Sequence, residues 1–224
     1  MSKSNAAQNI NGWIIIDKPT GMTSTAVVNK IKWACSARKA GHAGTLDPSA
    51  TGILAIALGE ATKTIPYVTE QIKSYTFEVK WGEATDSDDS DGKIIHTSQM
   101  RPSEQDITAI LPRFRGEIKQ TPPFFSAVKI NGRRAYELAR SGEDFDIASR
   151  SLFVSSLKLE KYISENSAIL SLECGRGGYV RSIARDLGLE LGCYGHVKWL
   201  RRIASGSFNP VSYTHLTLPT NSNV

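Results

Sequence analysis

Residues 53–59, ILAIALG, form an unbroken apolar run that ends at a glycine. Such a run is too short for an independent helix and is expected as a strand buried on both faces of a sheet. Other segments carry strand patterns as well. WIIID at 13–17 is a short apolar strand stopped by Lys18-Pro19, and YTFEVKWG at 75–82 alternates with period two. Residues 152–162 and 168–174 read as further strands, and HVKWLRRI, ending at Ile203, as a strand of mixed polarity. Helices are fewer. Thr23 or Ser24 can cap one whose apolar positions include Val27, Val28 and Ile31, and residues 60–68 make a short helix at best. Residues 102–111 have helical character, and 179–191 place Val180, Ile183, Ala184, Leu187 and Leu191 on one face. Residues 124–140 read as a strand, an Asn131-Gly132 turn and a helix from about Ala135. Strands outnumber helices without alternating strictly with them, so the fold class expected is α+β with a mixed, largely antiparallel sheet flanked by helices.

Of the 224 residues, 40% are hydrophobic and 22% charged, enough apolar material for a core and too much for a disordered chain. No apolar run approaches the roughly 20 residues that span a bilayer. Residues 1–11 are polar, lack the apolar centre of a signal peptide and are expected to be disordered. A cytoplasmic protein with no membrane association is expected. The three cysteines, Cys35, Cys174 and Cys193, show no C-x-x-C spacing, so neither a disulfide framework nor a metal site is expected. The formal net charge is +5, and residues 113–210 carry 16 basic and 10 acidic side chains against 11 and 12 in residues 1–112. The second half is therefore a candidate footprint for a polyanion. Four aspartates, Asp86, Asp88, Asp89 and Asp91, crowd one stretch that does not match the EF-hand pattern; a solvated turn ending at Gly92 is expected there. Residues 211–224 contain no charged side chain and resemble the translation of a sequencing adapter, so they are expected to be an artefactual tail that replaces the natural C-terminal region.

Three segments could carry chemistry. In KAGHAGTLDPSATGILAIALGEATKT, residues 39–64, Gly41, Gly44 and Gly52 surround His42, Asp47 and Pro48. The segment is neither a P-loop nor a dinucleotide fingerprint. Pro48 pushes Asp47 toward an extended conformation, which either aims a carboxylate or makes an Asx-turn. In ECGRGGYVRSIARDLG, residues 173–188, Tyr179 and Arg181 fall in the first turn of a helix. An arginine there opposes the helix dipole and calls for an anionic partner. TPPFFSAVKINGRRAYELARSG, residues 121–142, interleaves Lys129, Arg133, Arg134 and Arg140 with Phe124, Phe125 and Tyr136, a mixture suited to unpaired bases and phosphates or to a hairpin with a solvated face.

These segments, together with GWIIIDKPTGMTS, KSYTFEVKWGEATDSDDSDG and HVKWLRRIASGSF, occur in the order found in the TruB-type tRNA pseudouridine synthases and resemble that family from about Gly12 to Phe208. Two small departures are Ser49, where a bulky apolar residue is usual, and Gly178, where Thr is common and whose glycine would loosen the start of the following helix. The resemblance implies a pseudouridine synthase fold over residues 12–210 with a thumb-like insertion at 121–142. It implies isomerisation of uridine 55 in the tRNA T-loop, with the T-arm as partner, no cofactor, no metal and a monomeric enzyme. By the same resemblance Asp47 is the catalytic carboxylate, Arg181 its partner and Tyr75 the aromatic that stacks on the target base. His42 enters the T-loop as the base is extruded, Lys63, Tyr179 and Leu200 complete the pocket, and Lys129, Arg133 and Arg134 of the thumb clamp the RNA. A tRNA-folding chaperone, or a synthase with another RNA target, would use the same surface.

Overall fold

The computed structural model describes residues 8–209, which divide into two compact units, 8–71 with 202–209 and Ile72–Arg201. The expected artefactual tail lies outside the described residues. In the first unit β1 (Gly12–Lys18) is followed by helix α1 (Ser24–Ala34), strands β2 (Ala40–His42) and β3 (Thr51–Leu58), a 3-10 segment (Gly59–Thr64) and the short α2 (Ile65–Thr69). The apolar run lies inside the sheet as its composition requires: all but the first residue of β3 are buried. β1 pairs antiparallel with β3 from Gly12↔Leu58 to Lys18↔Gly52. β2 pairs with β3 as well, from Ala40↔Leu58 to His42↔Ile56. Because β1 occupies one edge of Ile56–Leu58, β2 must take the other, which turns the first residues of the expected glycine-rich loop into strand. Farther along β3, Gly52 at φ 103° lies so near Arg202 that a Cβ there would sit 2.1 Å from the Arg202 carbonyl oxygen. Only glycine admits that approach.

Helix α1 begins where the sequence proposes, with the Thr23 hydroxyl accepting from the Ala26 amide at 3.0 Å. It ends in a Schellman turn: the Ser36 amide donates to the Trp33 carbonyl and the Ala37 amide to the Lys32 carbonyl, with Ser36 at φ 48° in the position glycine usually fills. Residues 8–11, expected to be disordered, are tied down: the Gln8 amide bonds the Ser36 carbonyl and Asn11 Oδ1 accepts from the Glu60 amide.

The second unit comprises β4 (Lys73–Trp81), β5 (Glu83–Thr85), β6 (Ile94–Thr97), α3 (Glu104–Ile110), β7 (Gly116–Gln120), β8 (Lys129–Ile130), β9 (Arg133–Arg134), α4 (Ala135–Ser141), β10 (Arg150–Ser164), β11 (Ser167–Cys174), α5 (Val180–Glu190) and all but the last residues of β12 (Gly195–Ser205). Its sheet runs β12-β4-β11-β10-β7, and the β4/β11, β11/β10 and β10/β7 pairs are antiparallel. Alternation along β4 sends Tyr75, Phe77, Val79 and Trp81 into one apolar cluster with Ile107 of α3 and Val180, Ile183, Ala184 and Leu187 of α5. The hairpin β5/β6 and strand β7 are elements the sequence pattern did not reveal. The expected Asn131-Gly132 turn is present, with both residues at positive φ between β8 and β9, as a type I′ turn demands.

Gly178 does not loosen the start of α5. A Cβ at this position would lie 2.6 Å from Cys174 Sγ and 3.1 Å from Leu152 Cδ1, so the glycine is needed for close packing. Gly178→Thr should therefore cost about 1–3 kcal/mol through overpacking. Cys174→Ala in the same chain should recover most of that loss, as measured by urea denaturation of the single and double variants.

Candidate active site

Asp47 sits in the loop between β2 and β3, and the loop is held on both sides of it by backbone contacts. Ser24 of α1 donates to the Leu46 carbonyl at 2.9 Å and accepts from the Leu46 amide at 2.8 Å. After Asp47, the Pro48 carbonyl accepts from Lys18 Nζ at 3.1 Å and from the Gly21 amide at 2.8 Å. Lys18 also donates to the carbonyls of Pro19 and Met22 and is fully buried. Arg202, equally buried, donates from Nε to the Ile53 carbonyl at 2.7 Å, from Nη2 to Gly44 at 3.2 Å and from Nη1 to Thr45 at 3.4 Å. Two buried cations thus hold backbone carbonyls on either side of the aspartate. Burial lowers the Lys18 pKa, and the Asp47 charge works against that shift. The Ala50 amide closes a turn on the Asp47 carbonyl at 3.1 Å.

His42 ends β2 with its ring partly buried. Burial lowers its pKa and the Arg202 charge pushes the same way, so the imidazole is neutral at neutral pH. Its Nδ1 is buried with no hydrogen-bond partner among the described residues. Lys63, on the 3-10 segment, is largely exposed and ion-paired with Glu60.

Tyr75, Tyr179, Arg181 and Leu200 belong to the second unit. Tyr75 lies on β4 opposite Leu172, and Leu200 on β12 packs against the same apolar cluster. Tyr179 is the N-cap of α5, where the Gln120 side chain accepts from its amide at 2.9 Å and donates to its carbonyl at 3.1 Å. Arg181 is buried. Its Nη1 donates to the Ser87 carbonyl at 2.9 Å, its Nη2 to the Phe125 carbonyl at 3.0 Å, and its Nε faces Asp89 Oδ2 at 3.7 Å. The anionic partner that an arginine at a helix start calls for is thus present. One turn on, Arg185 pairs with Asp88 and Asp186, each at 2.8 Å, and donates to the Thr121 carbonyl.

The acidic stretch is consequently not the solvated turn expected of it. Asp88 and Asp89 fold inward onto the arginines of α5, with Asp88 at φ 61°. Gly92 does end the turn, since a Cβ there would meet Ser87 Oγ at 2.3 Å. At the β8/β9 hairpin, Arg133 pairs with Glu143 at 2.9 Å and Arg134 Nη1 donates to the Ala127 carbonyl at 2.5 Å, while Lys129 is exposed. The sequence did not single out Lys18, Gln120, Arg185 or Arg202, and offered Ser24 only as a helix cap. A lysine closing an apolar strand, and an arginine four residues after Arg181 on α5, were the available signals for two of them, Lys18 and Arg185.

Burial pushes the Asp88 carboxyl up to about 6, against the pull of Arg185, and raises Asp89 and Asp186 in the same direction. A carboxyl whose folded pKa lies above its ordinary 3.8 holds its proton more tightly when folded. That contribution is complete below about pH 4 and lost as the pH rises through about 6. The unfolding free energy of the wild type minus that of Asp88→Asn should thus fall by up to roughly 3 kcal/mol between pH 4 and 6.5 and stay level above, in urea titrations across that range.

Residues 32–180 match the TruB family pseudouridylate synthase N-terminal domain, and residues 181–219 the tRNA pseudouridylate synthase B C-terminal domain. The second match runs into the segment expected to be an artefactual tail. The chain is 57% identical over 208 residues to tRNA pseudouridine synthase B of Ruegeria pomeroyi and 58% identical to that of Cereibacter sphaeroides, in each case covering 93% of this chain and 69% of the relative. Among solved structures, a Cbf5-Nop10-Gar1 complex aligns with a TM-score of 0.68 at 30% identity over 90% of this chain and 50% of that one. An H/ACA RNP bound to a substrate RNA containing 2'-deoxyuridine aligns with a TM-score of 0.66 at 28% identity, over 89% and 49%. With a matched domain spanning well over half its length and relatives this similar, the chain belongs to the TruB family of pseudouridylate synthases.

Proposed function

We propose that this chain isomerises uridine 55 in the T-loop of tRNA to pseudouridine. The observation that carries the reading is the Asp47 loop, anchored on both sides by Lys18, Ser24 and Arg202 in a chain of this family. The reaction breaks the bond between N1 and C1′, turns the base, joins C5 to C1′ and expels the C5 hydrogen as a proton, while N1 gains one. Atoms and charge balance without a redox partner, and the reading includes neither cofactor nor metal. Asp47 is the carboxylate that acts at C1′, at C6 or on a ribose proton, and Arg181 is its counter-ion. A short side chain on a fixed backbone suits any of these routes, because a carboxylate that need not be ordered at each encounter loses less entropy in reaching the reacting atom.

Tyr75 stacks on the extruded base, with Tyr179 and Leu200 beside it. A neutral His42 enters the T-loop and fills the space the base leaves, which offsets part of the few kcal/mol that unstacking costs. Lys63 contributes charge near the RNA once it exchanges Glu60 for phosphate. Lys129, Arg133 and Arg134 of the thumb, residues 121–142, clamp the T-arm. In this reading residues 12–210 form the catalytic domain, residues 211–224 are an appended tail, and the enzyme is a cytoplasmic monomer.

The test is tritium release from a T-arm minihelix labelled at C5 of the target uridine. Wild-type chain should release tritium. Asp47→Asn should reduce release at least a thousandfold, while minihelix affinity by filter binding stays within about threefold; an active Asp47→Asn protein would sink the reading.

A further inference from the structure

Between Asp17 and Asp47 the sequence holds 29 residues without one aspartate or glutamate. At the chain's density of 22 acids in 224 residues, such a stretch would hold about three. It carries five cations, of which Lys18 is buried beneath the Asp47 loop. The other four, Lys30, Lys32, Arg38 and Lys39, are all exposed, and none forms an ion pair among the described residues. In their midst Trp33 is 83% exposed, the most open large apolar side chain of the described residues.

The fold gathers these groups. Lys30 and Trp33 are three positions apart on α1 and so share a face, while Lys32 lies in the last turn beside Trp33. The Schellman turn at Ser36 folds the chain back, its Ala37 amide bonded to the Lys32 carbonyl, which returns Arg38 and Lys39 to the end of the helix. A cation in the last helical turn is favoured by the helix dipole, which accounts for Lys32 but not for Lys30, for the two cations beyond the helix, or for the tryptophan. An ordinary solvated face mixes both signs of charge and seldom displays an indole. β2 then leaves this cluster directly and reaches His42 three residues after Lys39, about 10 Å along a strand.

We propose that the C-terminal half of α1 and the turn after it, Lys30, Lys32, Trp33, Arg38 and Lys39, form a second RNA-contact surface. It takes the sugar–phosphate backbone of the substrate outside the loop that holds the target uridine. The cations neutralise phosphates and Trp33 packs on a ribose or an unpaired base. Charge complementarity selects the occupant: four cations without an ion pair among the described residues, only Lys39 feeling a carboxylate, that of Glu60, and one exposed indole fit a polyanion that also offers flat faces to stack on. The inference rests on the proposed reaction, since the surface adjoins the histidine assigned to the T-loop.

The experiment measures minihelix binding by the full chain across a salt series, with tritium release measured in parallel. For the triple variant Lys30→Gln, Lys32→Gln, Arg38→Gln, the slope of log Kd against log salt should shrink by about two to three, and Kd near physiological salt should rise about tenfold or more. Trp33→Ala should raise Kd about fivefold or more at unchanged slope, because stacking is not counterion release. Lys158→Gln with Lys161→Gln, two exposed lysines of β10, is the control that leaves slope and Kd alone. Tritium release by the wild type, with the triple variant and Trp33→Ala indistinguishable from it in slope and affinity, would overturn this surface while leaving the reaction standing. No release by the wild type would overturn the reaction and the surface with it.

Discussion

The Asp47 loop depends on two buried cations that spend their charge on backbone carbonyls. A lysine and an arginine sealed from water are costly unless every donor finds an acceptor, and those acceptors are most efficiently supplied by chain that is not itself in helix or sheet. Lys18 and Arg202 meet that requirement with carbonyls on both sides of Asp47 and at the loop's junction with β3. The glycine-rich segment therefore forms a fixed loop. Its glycines serve close approach, most plainly at Gly52, where the backbone of Arg202 occupies the space a side chain would need.

The second unit applies the same chemistry to α5. Its arginines bind backbone carbonyls at Ser87, Thr121 and Phe125 and carboxylates at Asp88 and Asp89. One helix face thereby holds residues 121–125 and the acidic turn together. The turn's aspartates are drawn out of water by these partners, which is why burial dominates their protonation. The same helix start is braced from β7, where the Gln120 amide matches both backbone groups of Tyr179.

Much of the fold was legible because it follows local rules. Period two in β4, the three-to-four spacing in α5, the Thr23 cap and the Asn131-Gly132 turn are set by residues a few positions apart. What escaped had no local signal. β2 exists because β3 has a second edge to satisfy, and β5, β6 and β7 are short segments whose pairing partners are distant or separated by a loop. The acidic turn differs from expectation because four aspartates within residues 86–91 imply solvation unless cations await them, and Arg181 and Arg185 lie over ninety residues away. Gly178 was misjudged for the same reason, its role being set by the Cys174 sulfur and Leu152.

The sequence by itself determined most of the elements, the α+β class, the family and the identity of the candidate catalytic aspartate, because periodicity, capping, turn chemistry and ordered motifs are properties of the chain. Only the tertiary structure decided which polar groups go inside. Nothing near Arg202 marks it for burial over Arg201, and the place of Lys18 at the end of an apolar strand signals burial without saying that its ammonium will close a loop thirty residues on. A buried charge is stable only when its acceptors converge from several segments at once, and that convergence is fixed by the fold as a whole.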